Sequence, residues 1–235
     1  MKKLILIIII IINLFVNYTI IGKERITINN IRMLENCELI NLDNKLEKNY
    51  IPKDIIKIDN LYVNKNLYCN YLKMINNIKN NENIKIVSAY RDYNYQNNLY
   101  LKEHNGNIVS VMPPGSSEHQ LGLAIDISIN KLNYKLDDKI DTSDTYKWLL
   151  NNSYKYGFII RYNKNKEKYT KVIYEPWHLR YIDPIIADIL YKKNWSLEEL
   201  YNFLSNEKLK YSYNNKMYLI WKENNNLYCH NINLK

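Results

Sequence analysis

The chain has 235 residues, which is enough for one catalytic domain of roughly 150 to 200 residues with short extensions but leaves little room for a second full domain. Its residues are 46% hydrophobic and 13% aromatic, which excludes a disordered chain despite the many Asn and Lys residues. The net charge is +9, but the lysines are scattered among Asn and Tyr residues rather than gathered in a basic run. The sequence therefore predicts no nucleic-acid partner.

The first 22 residues predict export. Lys2 and Lys3 precede an apolar stretch that begins at residue 4 and continues to about residue 21. A helix over residues 4–22 would be about 28 Å long, close to the hydrocarbon thickness of a bilayer. No small-x-small cleavage site follows, which favours an uncleaved membrane anchor over a removed signal peptide. We expect the rest of the chain on the extracytoplasmic side of a bacterial cell membrane, or secreted to the cell wall if the signal is cleaved.

Three further regions follow the N-terminal segment. Residues 23–58 predict a leader wrapped on the domain, since Pro52 marks a turn or extended connection. Residues 59–205 form the predicted catalytic domain, and residues 206–235 predict a C-terminal hairpin that turns at Asn214 and Asn215.

Hydrophobic spacing, turn residues and capping patterns predict the elements of the catalytic domain. The expected elements in chain order are a helix at 67–78, a strand at 84–87, a helix at 93–103, strand 123–129, helix 143–156, strands 158–162 and 171–174, helix 184–192 and a helix that begins at Ser196. Apolar residues alternate with Ala124, Asp126 and Ser128 in strand 123–129, so Asp126 is expected to point away from the main core face.

The rarer residue types cluster in two segments. The chain has only five Pro, five Gly and four His residues. One segment contains Pro113, Pro114, Gly115, His119 and Gly122, and the other contains Pro176 and His178. In a chain drawn mainly from Asn, Lys, Ile and Tyr, these clusters indicate positions constrained by geometry or chemistry.

Four of the clustered side chains have the chemistry of a catalytic metal site. Such zinc sites use three protein ligands, usually His nitrogen and carboxylate oxygen, and leave a fourth position for water. His119, Asp126 and His178 supply that set. Glu175 lies three residues before His178 across a proline that holds it extended, so its carboxylate can act as a general base beside the metal. The alternative is that these are ordinary surface or core residues.

Three segments resemble the motifs of the vancomycin-resistance-type D,D-carboxypeptidase family. They are SAYR at 88–91, SEHQLGLAID at 117–126 and EPWHLRY at 175–181, and the resemblance runs from about residue 39 to residue 204. Ala89 and Asp183 stand where that family usually has glycine. The resemblance implies an α+β metallopeptidase fold, with a small antiparallel sheet flanked by helices and a zinc site in a cleft on the sheet.

The resemblance also implies roles for individual residues. His119, Asp126 and His178 would hold one Zn2+ per chain, and Glu175 would activate water. Arg91 would bind the peptide or stabilise the oxyanion, together with substrate-binding residues Ser88, Tyr90, Gln96 and Ser117. For Arg91 the choice between an oxyanion and a terminal carboxylate stays open.

The function expected from the sequence is removal of the terminal D-alanine from peptidoglycan stem peptides. Two alternatives keep the same fold and metal: an L,D-carboxypeptidase and a peptidoglycan endopeptidase, which differ in pocket shape rather than in motif residues. A third alternative is a non-catalytic wall-binding module. Glu175 disfavours it, because a binding module needs no base beside its metal.

Overall fold

A computed structural model of the chain describes residues 18–21, 24–27, 31–80, 82–103 and 111–232. The chain divides into two units, one formed by residues 36–202 and the other by residues 1–35 together with residues 203–235. All predicted site residues belong to the unit of residues 36–202.

The described residues form short strands and helices. The strands are β1 (Tyr18–Ile21), β2 (Glu24–Thr27), β3 (Ile31–Met33), β4 (Ile55–Ile58), β5 (Leu61–Asn64), β6 (Ile84–Ser88), β7 (Ala124–Ile129), β8 (Phe158–Tyr162), β9 (Glu175–Tyr181), β10 (Leu209–Tyr213), β11 (Lys216–Glu223) and β12 (Asn226–Ile232). The helices are α1 (Lys65–Ile75), α2 (Tyr93–Glu103), α3 (Glu118–Leu121), α4 (Asp144–Asn152), α5 (Glu167–Thr170), α6 (Pro184–Lys193) and α7 (Leu197–Asn206).

The unit of residues 36–202 is built on a four-stranded sheet with the order β6-β7-β9-β8. Its neighbouring strands are all antiparallel. Ile125, Ile127 and Ile129 of β7 pack into a core that also contains Leu67 of α1 and Leu149 of α4. Apolar residues at every second position of β7 thus hold helices against one face of the sheet. This confirms the predicted α+β class with a small antiparallel sheet and flanking helices.

Capping and apolar spacing explain two of the helices. The side chain of Asn64 accepts a hydrogen bond from the backbone N–H of Leu67 at 3.0 Å and starts α1. At the start of α7, Ser196 and Glu199 exchange the reciprocal backbone bonds of a capping box, at 2.7 and 3.3 Å. Both helices were predicted, although α1 ends at Ile75 rather than at residue 78.

The predicted strand at 171–174 is wrong. Residues 171–174 form no regular element and follow the short helix α5, which Lys171 ends with left-handed geometry at φ 60°. Pairing between β8 and β9 ends with Tyr162 opposite Glu175, so the residues between them form a connection outside the ladder. The predicted helix at 143–156 is α4 followed by a tighter 3-10 turn over Ser153–Tyr156.

Part of the predicted leader belongs to the same unit as the site. Strand β4 pairs with β5, and the backbone N–H of Leu46 donates to the carbonyl oxygen of Gly115 at 2.8 Å. Gly122 has φ 78°, and a Cβ atom there would lie 2.9 Å from Cβ and Cγ of Pro52. The segment around Pro52 therefore packs tightly against the turn that follows α3.

The other unit contains a four-stranded antiparallel sheet with the order β10-β11-β12-β3. The predicted turn at Asn214 and Asn215 is confirmed, with φ values of 48° and 59°. The predicted hairpin is β10 and β11. Strand β12 pairs with β11, and β3 pairs with the other edge of β12, so the hairpin is part of a larger sheet.

The predicted membrane helix over residues 4–22 falls mostly outside the described residues, which begin at residue 18. Its final residues, Tyr18–Ile21, form strand β1, which pairs with β2 in antiparallel register. In the described ranges, helices are too short or too polar to cross a membrane.

Candidate metal centre

His119, Asp126 and His178 meet in a buried cluster. Their ligand atoms lie within 4.8 Å of one another. Nε2 of His119 lies 3.2 Å from Oδ2 of Asp126, and Nδ1 of His178 lies 3.1 Å from Oδ1 of the same carboxylate. Two histidine nitrogens thus converge on one carboxylate, which is the donor set of a three-ligand zinc site.

Strand register places two members of the cluster. Asp126 on β7 pairs with His178 on β9, and on its other side it pairs with Ser88 on β6. Directly opposite residues in neighbouring strands lie on the same face, so the three side chains share one face of the sheet. Ile125 and Ile127 on either side of Asp126 pack into the core, which confirms that Asp126 points to the opposite face, although the residue is only 3% exposed.

His119 lies on the short helix α3, and capping residues limit this helix at both ends. Oγ of Ser117 accepts a hydrogen bond from the backbone N–H of His119 at 3.3 Å, which caps the helix. Gly122 closes it with φ 78°, a conformation that favours glycine. The helix is therefore a single turn that fixes His119 over the sheet position of Asp126.

The ring of His119 is oriented to bind a metal. Nδ1 of His119 lies 2.7 Å from the carbonyl oxygen of Ala89, which can only accept, so Nδ1 carries the proton and Nε2 keeps its lone pair. This buried Nε2 has no hydrogen-bond partner among the described residues. A buried nitrogen with a free lone pair, aimed at a carboxylate, is suited to a cation.

Glu175 lies beside the cluster without belonging to it. Its Oε2 is 3.7 Å from Nδ1 of His178, and its side chain is 11% exposed. Burial raises the pKa of Glu175 to about 7, against the lowering effect of the neighbouring His178. A carboxylate of this kind has the proton affinity of a general base near neutral pH.

The two histidines of the cluster have opposite pKa shifts. Burial and the nearby Arg91 guanidinium lower the pKa of His119 to about 4. Burial also opposes protonation of His178, but the carboxylates of Asp126 and Glu118 raise its pKa to about 9. Without a metal, therefore, His119 is neutral and His178 is protonated near neutral pH.

The fold places Arg91 and Ser88 next to the cluster of His119, Asp126 and His178. Nη1 of Arg91 lies 3.3 Å from Oγ of Ser88 and 3.9 Å from Oδ2 of Asp126. The backbone N–H of Arg91 donates to the carbonyl oxygen of His119 at 3.3 Å. The guanidinium side chain is 17% exposed, so a permanent positive charge borders the cluster and still reaches solvent.

The other predicted substrate-binding residues have structural contacts. Gln96 is fully buried, and its Nε2 donates to the carbonyl oxygen of Met112 at 2.6 Å. Ser117 is the cap of α3. Tyr90 is partly buried and bonds through its backbone N–H to the carbonyl oxygen of Tyr62 at 2.9 Å. Their roles in binding substrate stay predictions.

A buried group of charges next to His178 was not assigned from the sequence. Oε1 of Glu118 accepts a hydrogen bond from Nε of Arg161 at 2.8 Å and forms an ion pair with Nη1 of Arg180 at 2.9 Å. Its Oε2 lies 3.5 Å from Nε2 of His178. Burial opposes ionisation, yet the two arginines hold the pKa of the Glu118 carboxyl well below its usual range.

The rarity of arginine in this sequence is a signal that could have indicated the buried charged group. Of the 33 basic residues only five are arginines, and Arg91, Arg161 and Arg180 are three of these five. Arginine presents a planar fork with several donors, which lysine cannot replace in buried pairs with carboxylates. An arginine in this lysine-rich chain is therefore a marker of a demanding contact.

Comparison with known proteins shows which family the chain resembles. The family model described as "VanY: D-alanyl-D-alanine carboxypeptidase" matches residues 60–184. YodJ of Bacillus subtilis (strain 168) is 37% identical over 180 residues, which cover 69% of this chain and 66% of YodJ. The chain thus spans just under two thirds of YodJ, and 52% of the next curated relative.

Two solved structures share the fold. The LD-carboxypeptidase LdcB has a TM-score of 0.63 and 36% identity, over 70% of this chain and 84% of that chain. A variant of the vancomycin-resistance D,D-pentapeptidase VanY in complex with Zn(II) has a TM-score of 0.58 and 26% identity, over 70% of this chain and 97% of that chain.

The family model covers more than half of the chain, and the residues it spans include Arg91, His119, Asp126, Glu175 and His178. This chain therefore belongs to the VanY family of D-alanyl-D-alanine carboxypeptidases.

Proposed function

We propose that the protein is a zinc-dependent D-alanyl-D-alanine carboxypeptidase, with His119, Asp126 and His178 as the ligands of one zinc ion. The observation that carries this proposal is the convergence of three buried ligand atoms within 4.8 Å, with the carboxylate of Glu175 next to them. The Zn(II) complex of the related VanY supports zinc as the metal. When bound, zinc acts as a Lewis acid that polarises a carbonyl group and makes water a stronger acid.

Glu175 is the proposed general base. It removes a proton from the attacking water and returns it to the leaving amine, so one carboxylate serves both steps. Its Oε2 lies 3.7 Å from Nδ1 of His178, so the carboxylate borders the ligand set that would hold the zinc. Its position at the start of β9, followed by Pro176, holds it in an extended conformation.

Arg91 is the proposed anion-binding group. Its charge stabilises either the oxyanion that forms at the scissile carbonyl or the free carboxylate at the end of the peptide. Ser88 supports the guanidinium through the 3.3 Å contact with Nη1. We keep both roles for Arg91, since each places an anion close to the same cluster.

The proposed substrate is a peptidoglycan stem peptide that ends in D-alanyl-D-alanine. LdcB, an LD-carboxypeptidase with 36% identity, favours an L,D-carboxypeptidase as the second candidate. The two activities differ in the stem that is shortened, so the test incubates the full-length protein with pentapeptide and tetrapeptide stems and weighs the products. Loss of one alanine from the pentapeptide alone supports the D,D activity. Loss from the tetrapeptide alone supports the L,D activity, and cleavage inside either stem supports an endopeptidase.

We also propose that the chain is held at the membrane by residues 1–22 with the catalytic domain outside the cytoplasm. Lys2 and Lys3 before an apolar run support this orientation. Protease treatment of intact cells tests it, because an extracytoplasmic domain is digested while a cytoplasmic control protein survives. We retain 59–205 as the catalytic domain and 206–235 as its C-terminal extension.

A further inference from the structure

Glu118 stands immediately before His119 and has a fully buried carboxylate whose two oxygens face different partners. Oε1 accepts a hydrogen bond from Nε of Arg161 at 2.8 Å and forms an ion pair with Nη1 of Arg180 at 2.9 Å. Oε2 faces Nε2 of His178 at 3.5 Å. Both arginines lie on one oxygen, so the other oxygen is directed to the histidine.

The two arginines are held by other groups as well. Arg161 forms a bidentate pair with Glu198, at 2.9 and 2.6 Å. Nη2 of Arg180 donates to the carbonyl oxygens of Asn36 and Glu38, at 2.9 and 3.1 Å. The orientation of the Glu118 carboxylate is therefore set without His178, and the histidine meets an acceptor that is already in place.

We infer that Glu118 is a positioning residue that holds a proton on Nε2 of His178 and so leaves Nδ1 as the nitrogen that binds the metal. The inference rests on the proposed function. Nδ1 is the nitrogen that faces Asp126 at 3.1 Å and Glu175 at 3.7 Å. Metal-binding histidines commonly donate their second ring N–H to a carboxylate or carbonyl, which fixes the tautomer.

His119 offers the opposite nitrogen by the same principle. The carbonyl oxygen of Ala89 accepts a hydrogen bond from Nδ1–H of His119 at 2.7 Å, which leaves Nε2 for the metal. The backbone thus orients the first histidine, and a buried carboxylate orients the second.

The variant Glu118→Gln tests the inference because it replaces the acceptor that faces Nε2 of His178 with a donor. Arg161 and Arg180 donate only, so they select the amide oxygen of the glutamine. The amide N–H group then faces Nε2 of His178 and favours the tautomer with the proton on Nδ1. We expect the zinc affinity of the full-length protein, measured by competition with a chelator, to fall about 10- to 100-fold.

Glu198→Gln is the matched control. It removes one negative charge from the same network, since Glu198 pairs with Arg161, but the carboxylate of Glu198 bonds Arg161 rather than His178. We expect it to change the melting temperature and to keep the zinc affinity of the wild type. Equal losses of zinc affinity in the two variants would show a general effect of the network and overturn the inference.

The remaining outcomes separate the inference from the proposed function. Wild-type affinity in Glu118→Gln overturns the inference and leaves the zinc enzyme intact. A wild-type protein that binds no zinc overturns the proposed function instead.

A measurement on the wild type covers the case in which Glu118→Gln does not fold. Two-bond 1H–15N correlation spectra of the zinc-loaded, 15N-histidine-labelled protein report which ring nitrogen carries a proton. The His178 signals are assigned by their loss in His178→Asn. A proton on Nε2 with none on Nδ1 is expected, and a proton on Nδ1 overturns the inference.

Discussion

Asp126 and His178 lie directly opposite each other on β7 and β9, and Oδ1 of the carboxylate is 3.1 Å from Nδ1 of the ring. The register of two central strands therefore forms half of the metal cluster, and His119 completes it from a one-turn helix. A site built on paired strands is held by backbone hydrogen bonds on both sides, so it is preorganised before any ligand arrives.

Removing the histidine from this pair tests the metal site. We expect His178→Ala to lose stoichiometric zinc and nearly all activity, because two remaining protein ligands are too few for a catalytic zinc site. Elemental analysis of the purified protein measures the metal content. His230 lies in the other unit and supplies a matched control, since His230→Ala should keep one zinc per chain. Full zinc occupancy and full activity in His178→Ala would show that the ligand assignment is wrong.

The base is tested by an isosteric change. We expect Glu175→Gln to keep the zinc and the fold but to lower kcat by about 100- to 10,000-fold, because an amide cannot accept the proton from water. Steady-state kinetics with a pentapeptide stem measure the loss, and zinc analysis of the same sample excludes loss of metal. A decrease of less than about tenfold at saturating substrate would assign the proton transfer to another residue.

The contribution of Arg91 to activity should depend on the planar, forked shape of its guanidinium as well as on its charge. A lysine at this position keeps the charge but cannot donate two parallel hydrogen bonds to a pair of oxygens. We therefore expect the activity of Arg91→Lys to be nearly as impaired as that of Arg91→Ala. A mainly kinetic defect of about 100- to 1,000-fold places Arg91 at the oxyanion. A defect mainly in KM places it at the substrate carboxylate.

The measurement for Arg91 compares a free-carboxylate peptide with its C-terminal amide. Ser88→Ala serves as the companion variant, since it removes the 3.3 Å contact and leaves the guanidinium in place. Wild-type kinetics of both Arg91 variants on both substrates would make Arg91 an ordinary surface residue.

Metal removal should separate this enzyme from serine carboxypeptidases. We expect a chelator to abolish activity, added zinc to restore it, and penicillin to leave it unchanged, because the sequence has no convincing Ser-x-x-Lys motif with its usual partners. The assay is alanine release before and after dialysis against the chelator. Inhibition by penicillin together with resistance to the chelator would contradict the metallopeptidase assignment.

The packing of Pro52 on Gly122 predicts a stability effect. Gly122→Ala adds a Cβ atom 2.9 Å from Pro52 at a φ of 78°, so both the contact and the backbone become strained. We expect a loss of about 1 to 3 kcal/mol in the free energy of unfolding. Asn98→Ala, on the exposed face of α2, is a control that should change stability by less than about 0.5 kcal/mol. Equal melting temperatures for Gly122→Ala and the wild type would mean that the segment around Pro52 moves away freely.

Local patterns predicted most of the elements around the site. The bounds of α2 and β8 match the predicted ranges, because helix-end and turn residues act over neighbouring positions. The strand expected at 171–174 failed because short apolar runs do not reveal where a strand finds a partner. Pairing with β7 and β8 decides that β9 begins at Glu175 and runs to Tyr181.

The sequence by itself determined which side chains have metal and acid-base chemistry, because His119, Asp126, Glu175 and His178 stand in rare and closely spaced motifs. Tertiary structure alone decided that Nδ1 of His178 and Nε2 of His119 face Asp126, and that Glu118 is clamped by Arg161 and Arg180. The physical reason is that ring orientation and charge pairing depend on neighbours far apart in the chain, and strand register brings those neighbours together only when the sheet forms.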